Sequence, residues 1–204
     1  ALEQLLRQMI HRTGLSSGNV KIEFYFATDS RNETCFRSFF IPTSYPTREM
    51  YTNGVICTLL ARERNTPSVK IANPGLRHLS DQIRADKNVY ETILHTDGFI
   101  TEGSRSNIFF VEGGTIRTAP SGTVLEGIMR MKVLEIAERI GIPVNFSPLE
   151  THELATPEAA FITGTSPRIL PIREIDGVIY QVPHPLVTLL TEELNTLIQN
   201  ALKQ

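Results

Sequence analysis

The sequence predicts an α+β protein, with mixed sheets and flanking helices. Three observations predict it. Runs rich in β-branched and aromatic residues recur at residues 20–27, 35–41 and 55–61 and on either side of Asp97-Gly98. Apolar residues at helical spacing mark segments after Gly127 and Pro185 and at the very start of the sequence. An apolar share of 41% over 204 residues is ample for a buried core.

Leu2, Leu5, Leu6, Met9 and Ile10 follow helical spacing, and Gly14 stops that helix. The three strand-like runs come next. Residues 28–33 form the loop between the first two, and residues 42–52 form a long polar connection to the third. After Pro74-Gly75, Leu76, Leu79 and Ile83 predict a helix. It precedes an apolar strand through Ile93 and Leu94, a turn at Asp97-Gly98 and a returning strand from Phe99. The segment 127–140 carries Ile128, Met131, Leu134, Ala137 and Ile140 at three-residue steps, read as one buried face, with Gly141 as its stop. A strand at 142–146, a helical turn near Glu153 and strands at Phe161-Ile162 and 169–172 follow. The turn Asp176-Gly177 leads to a terminal helix over 185–202, with Leu189, Leu190, Leu194, Leu197 and Ile198 in its packing face.

Charge and cysteine usage exclude several functions. Twenty basic and 22 acidic residues give a net charge of −2 and are interspersed, so no stripe suits nucleic acid or a membrane surface. Cys35 and Cys57 read as reduced thiols of a cytoplasmic protein, and His11, His78, His95, His152 and His184 lack metal-ligand spacing. No signal peptide, long apolar span or repeat is present.

Four segments carry chemistry. Of the five lysines, only Lys70 stands in an extended stretch bracketed by prolines, Pro67 and Pro74, with Val69 and Ile71 on either side; the others read as polar or helix-surface residues. Partial desolvation lowers an amine's pKa and makes it a nucleophile, whereas on an edge strand the same lysine simply points to solvent. The hairpin beginning at Glu91 delivers Glu102 beside Gly103-Ser104 at the mouth of an apolar sheet; alone, such a Glu is a surface turn residue. Gly127, Ile128 and Met129 open a helix, where backbone amides and the helix dipole suit a phosphate, although a Gly-Ile at a helix start is often no more than a cap. Thr163-Gly164-Thr165-Ser166 adds hydroxyls and a Gly-freed backbone, or else is a polar turn stopped by Pro167.

In this order and spacing, from about Asn19 to the C-terminus, the segments resemble the class IV, fold type IV, pyridoxal-phosphate-dependent aminotransferases. That family includes D-amino-acid and branched-chain aminotransferases and aminodeoxychorismate lyase. The resemblance implies pyridoxal 5'-phosphate held by Lys70 as a Schiff base, with Lys70 also moving the substrate α-proton. Glu102 would pair with the ring nitrogen and Leu125 would pack on the ring. Gly127, Ile128, Met129, Gly164 and Thr165 would hold the phosphate. A carboxylate on the ring nitrogen keeps it protonated and the ring electron-withdrawing. The implied reaction moves an amino group between an amino acid and a 2-keto acid, in a homodimer.

Residues 1–66 would be the remainder of a small N-terminal α/β domain, itself incomplete. Residues 67–204 would be the cofactor-binding domain, with the cofactor between the two. The family's N-terminal phosphate Arg and substrate-side Tyr have no counterpart in this sequence. Other departures bear on subtype. Arg31-Asn-Glu33 stands where D-specific members carry Arg-x-His, leaving Arg31 as a candidate substrate contact or a solvated loop residue. Ser104-Arg-Ser106-Asn107 matches the D-amino-acid and lyase branches, Met129 replaces a frequent Thr, and Ala159 replaces a frequent Glu. Two alternatives stay open: a lyase releasing pyruvate, and a non-catalytic dimerisation or binding module.

Overall fold

The computed structural model describes residues 2–15, 18–26, 34–42, 45–62 and 73–203. They fall into two compact units, Ala1–Tyr45 and Pro46–Gln204. In the first, helix α1 (Leu2–Thr13) precedes an antiparallel pair, β1 (Asn19–Phe26) and β2 (Thr34–Ile41). Ser38 on β2 reaches Met9 Sδ on α1 at 3.6 Å, yet none of the described residues in this unit is fully buried.

The second unit contains a core. Helix α2 (Arg48–Asn53) lies in the stretch expected to be a polar connection; Thr47 accepts a hydrogen bond from the Met50 amide and so caps it. Strand β3 (Val55–Ala61) follows, then α3 (Pro74–Lys87), capped by the Asn73 side chain. Next come β4 (Glu91–Thr96), β5 (Phe99–Gly103), β6 (Asn107–Glu112) and β7 (Thr115–Thr118). Helix α4 (Ile128–Ile140), β8 (Val144–Phe146), β9 (Ala159–Gly164), β10 (Arg168–Ile175), β11 (Val178–Ile179) and α5 (Pro185–Ala201) complete it. Because β3 pairs in parallel with both β4 and β10, residues 46–61 belong with this unit. The division between units therefore comes earlier than the 66/67 boundary expected from sequence.

Among the described residues the strand order is β5-β4-β3-β10-β9-β6-β7-β8, with β11 beside β10. Strands β5 and β6 stand five places apart, which in a flat sheet would be about 24 Å. Only Ser104, Arg105 and Ser106 connect Gly103 to Asn107, and four Cα steps reach at most about 15 Å. The sheet must therefore curl, bringing the end of β5 back to the start of β6. A hydrogen bond from Gly103 N to Ser106 O, 2.8 Å, marks that seam.

Alternation along the strands separates two cores. Ile108 and Phe110 of β6, Ala160 and Ile162 of β9 and Leu170 and Ile172 of β10 fill the inside of the curl with Ile93 and Ile100. Phe109, Phe161 and Ile169 face the other way, against Val133, Ile136 and Ala137 of α4 and Val187, Leu190 and Leu194 of α5. Phe109 and Phe161 stack with ring centroids 5.0 Å apart. The buried face of α4 differs from the expected one, since Ile128 and Met131 are exposed while Arg130, Val133, Ile136 and Ala137 are buried. Each three-residue step falls about 60° short of a full helical turn, so five such residues wind around the helix; the buried set keeps the 3.6-residue period. In α5, Leu189 turns outward because it stands about 100° around the helix from its buried neighbour Leu190.

Candidate active site

The hairpin between β4 and β5 turns at Asp97 and Gly98, both at positive φ, which matches the right-handed twist of the strands it joins. It places two carboxylates on the inward face, Glu91 beside Ile93 and Glu102 beside Ile100. Glu102 is 2% exposed and its Oε2 accepts from the Leu125 amide at 3.1 Å. Asn107, at the first position of β6, donates from Nδ2 to the Leu125 carbonyl at 2.7 Å. Leu125 is thus held through both backbone groups by the residues that flank the 103–106 turn.

Two residues further on, α4 begins. Gly127 is its N-cap and contributes no side-chain cap; a Cβ there would stand 2.5 Å from Asn107 Oδ1. Glycine is what lets the helix start approach β6 so closely. The Gly127 amide donates to Leu125 O at 2.9 Å, so the anion-binding capacity of this end rests on Ile128 and Met129, whose amides have no intrahelical acceptor. Of the three amides proposed from sequence, one is already engaged.

The polar turn after β9 lies against the same place. Thr163 pairs in register with Asn107, and a Cβ on Gly164 would meet Pro167 at 3.1 Å and the Arg105 carbonyl at 3.7 Å. Thr163 Oγ1 is buried and has no hydrogen-bond partner among the described residues, while Thr165 is exposed. Tyr51 of α2 ties down the far side of the turn by donating to Pro167 O at 3.0 Å.

Glu102, Leu125, Gly127, Ile128, Met129, Gly164 and Thr165 are therefore gathered around the 103–107 turn, at the ends of β5, β6 and β9. Lys70 and Arg31, the other two residues singled out from sequence, lie outside the described residues. Two neighbours were not foreseen as site residues. Arg130 is 1% exposed; its Nη2 donates to Ala119 O at 2.9 Å and its Nη1 is 3.9 Å from Glu126 Oε1, bracketing the segment that carries Leu125. Burial holds its pKa below the usual arginine value. Glu91 is the second. Its place on an inward-facing strand position beside Ile93 is the signal that would have found it; Arg130 had a signal of the same kind in the period of Val133 and Ile136.

The arrangement offers a buried carboxylate and a helix N-terminus joined by a pinned two-residue strap. The amino-transferase class IV family model matches residues 1–175. The chain belongs to the class IV aminotransferase family. Among its relatives, a D-alanine aminotransferase from Bacillus licheniformis is 34% identical over 120 residues, 57% of this chain and 41% of that protein. One from Listeria monocytogenes is 28% identical over 199 residues, 87% of this chain and 65% of the relative. The branched-chain amino acid aminotransferase of Escherichia coli superposes with a TM-score of 0.79 at 22% identity, covering 97% of this chain and 72% of that one. That likeness shows the fold, the type IV architecture that the motifs imply. The matched segments span less than two thirds of either D-alanine aminotransferase.

Proposed function

We propose that this chain acts as a pyridoxal 5'-phosphate-dependent aminotransferase, moving an amino group between an amino acid and a 2-keto acid. The observation that carries the proposal is the joint grip of Glu102 and Asn107 on Leu125, immediately before an α4 N-terminus that a side chain at Gly127 would crowd. The residues fit the cofactor. Glu102 is a buried carboxylate suited to a protonated ring nitrogen, and Leu125 presents an apolar side chain beside it. The Ile128 and Met129 amides and the Thr163–Thr165 turn, whose buried Thr163 hydroxyl has no partner among the described residues, suit a phosphate.

When bound, the cofactor supplies an electron sink for charge developing at the substrate α-carbon. The protein's part is to hold the ring and move the proton. Glu102 keeps a proton at the ring nitrogen, and the two amides of α4 donate hydrogen bonds to the phosphate. Lys70, which precedes the α3 cap Asn73 by three residues in sequence, takes the α-proton and returns it. The support for Lys70 is the family match and its apolar sequence context. The reading also takes the working protein to be a cytoplasmic homodimer; among the described residues no helix is long and apolar enough to cross a membrane.

The test is reduction of the purified chain with borohydride in the presence of pyridoxal 5'-phosphate, followed by peptide mapping. A pyridoxyl group fixed on Lys70, and lost in Lys70→Ala together with turnover, is the expected result. Label on another lysine, or none, overturns the assignment. Pyruvate released from an aminodeoxychorismate substrate without any keto-acid acceptor would instead identify a lyase.

A further inference from the structure

We infer that Glu91 is a positioning residue for Glu102 and Asn107: it sets the turn that joins them and, through that turn, the point at which Glu102 meets the cofactor ring. The inference rests on the aminotransferase reading above. Glu91 is 3% exposed and its carboxylate is the hub of the 103–107 turn. Oε1 accepts from Ser104 Oγ at 2.7 Å and from Thr92 N at 2.9 Å; Oε2 accepts from Ser106 Oγ at 3.0 Å and from Arg105 N at 3.3 Å. Three of these four donors belong to the turn itself. The packing is equally close, since a Cβ on Gly103 would collide with Ser106 Oγ and stand 3.2 Å from Glu91 Cγ.

A second layer ties the turn to α3. Ser80, fully buried on that helix, donates to Ser104 Oγ at 2.8 Å and lies 2.7 Å from Thr92 Oγ1. Each hydroxyl has one proton, and Ser104 gives its own to Glu91. The chain therefore runs one way, from Thr92 to Ser80 to Ser104, and ends on the carboxylate. Arg105 reinforces the link by pairing with Asp81 of α3.

This polarity makes Glu91→Gln an informative change. A glutamine of the same shape places an NH2 against one of the two donor pairs. Each pair contains a backbone N–H, of Thr92 or of Arg105, that cannot reverse its role. Either orientation leaves donors facing each other, and the turn must shift. Because Glu102 and Asn107 hold opposite backbone groups of Leu125, a shift at the turn moves both contacts together.

The experiment is a double-variant cycle on the full chain with pyridoxal 5'-phosphate: Glu91→Gln, Glu102→Gln and both together. Cofactor affinity is read by equilibrium dialysis, the ring environment by the visible absorbance band of the bound cofactor, and turnover by kcat. Amide exchange at Gly103 and Arg105 is followed in the cofactor-free chain. The expected result for Glu91→Gln is retained cofactor, a band displaced in the same sense as in Glu102→Gln, faster exchange at the turn and a kcat about 100-fold lower. Added to Glu102→Gln, it should lower kcat by no more than about threefold, because both act through one contact. A full repeat of the loss on that background, or an unmoved band with a merely lower melting temperature, overturns the inference and leaves Glu91 a structural residue. Should Glu91→Gln fail to fold, Ser106→Ala, which removes one donor, should show the same displaced band at smaller amplitude; an unmoved band there also overturns it. A wild-type chain that takes up no cofactor overturns the functional reading and the role toward Glu102 with it, whatever the exchange at the turn.

Discussion

Tyr90 immediately precedes Glu91, and its phenol is pushed up to about 12 from 10.0, first by burial and then by the neighbouring Glu91 charge. The phenol is neutral in the fold, so the unfolded chain releases its proton first as pH rises. The stabilisation is fully present below the unfolded value of 10.0 and is lost as pH climbs toward the folded value of about 12. Thermal unfolding followed across that window, with the tyrosinate absorbance recorded in parallel, should show a falling midpoint that is shallower in Tyr90→Phe. Tyr180, whose hydroxyl donates to Leu154 O, is displaced upward by burial as well and contributes in the same sense. At this scale the sequence was informative about residue type more than about environment. Glu102 was singled out through its motif, whereas Glu91 and Arg130 look like ordinary charged residues until the sheet buries them.

The start of α4 has a conformational requirement that local sequence conveys only in part. A Gly before an amphipathic run marks an N-terminus, but its necessity here comes from Asn107 on another strand. Gly127→Ala should force Asn107 away from Leu125, leaving a buried amide short of a partner at a cost of about 1–3 kcal/mol. Denaturant titration should show that loss, and affinity for inorganic phosphate or pyridoxal 5'-phosphate should fall with it. Alanine at Gly114, in the β6–β7 turn at the opposite end of β6 from Asn107 and with nothing within 4 Å of an added Cβ, serves as the comparison; its positive φ makes it a strained site too. Unchanged affinity in Gly127→Ala would remove this helix end from the site. The misplaced face of α4 has a related origin: three-residue steps resemble helical periodicity over one turn and diverge from it over four.

The two compact units differ in what holds them. In Pro46–Gln204 the curled sheet carries one core inside and a second beneath α4 and α5. In Ala1–Tyr45 the described residues are at most half-buried, and α1 leaves Leu5 and Ile10 exposed. Local opening is easiest where little apolar surface is buried, so amides of β1 and β2 should exchange several orders of magnitude faster than those of β9 and β10. Equal protection, read by hydrogen exchange on the intact chain, would show that the first unit shares in the cooperative core. A lone antiparallel pair is marginal in water, which is the physical ground for the contrast.

The sequence by itself determined the local chemistry: the Asp97-Gly98 hairpin, the helix beginning at Gly127 and ending at Gly141, and the order of motifs that marks the family. Those features depend on backbone preferences and spacings within a few residues. Only the tertiary structure decided that β5 and β6 meet, that Glu102 and Asn107 grip opposite sides of Leu125, and that Glu91 gathers donors from strand and turn. The meeting of β5 and β6 joins strands five places apart in the sheet and gathers the other contacts at its seam, and no local pattern specifies which strands become neighbours.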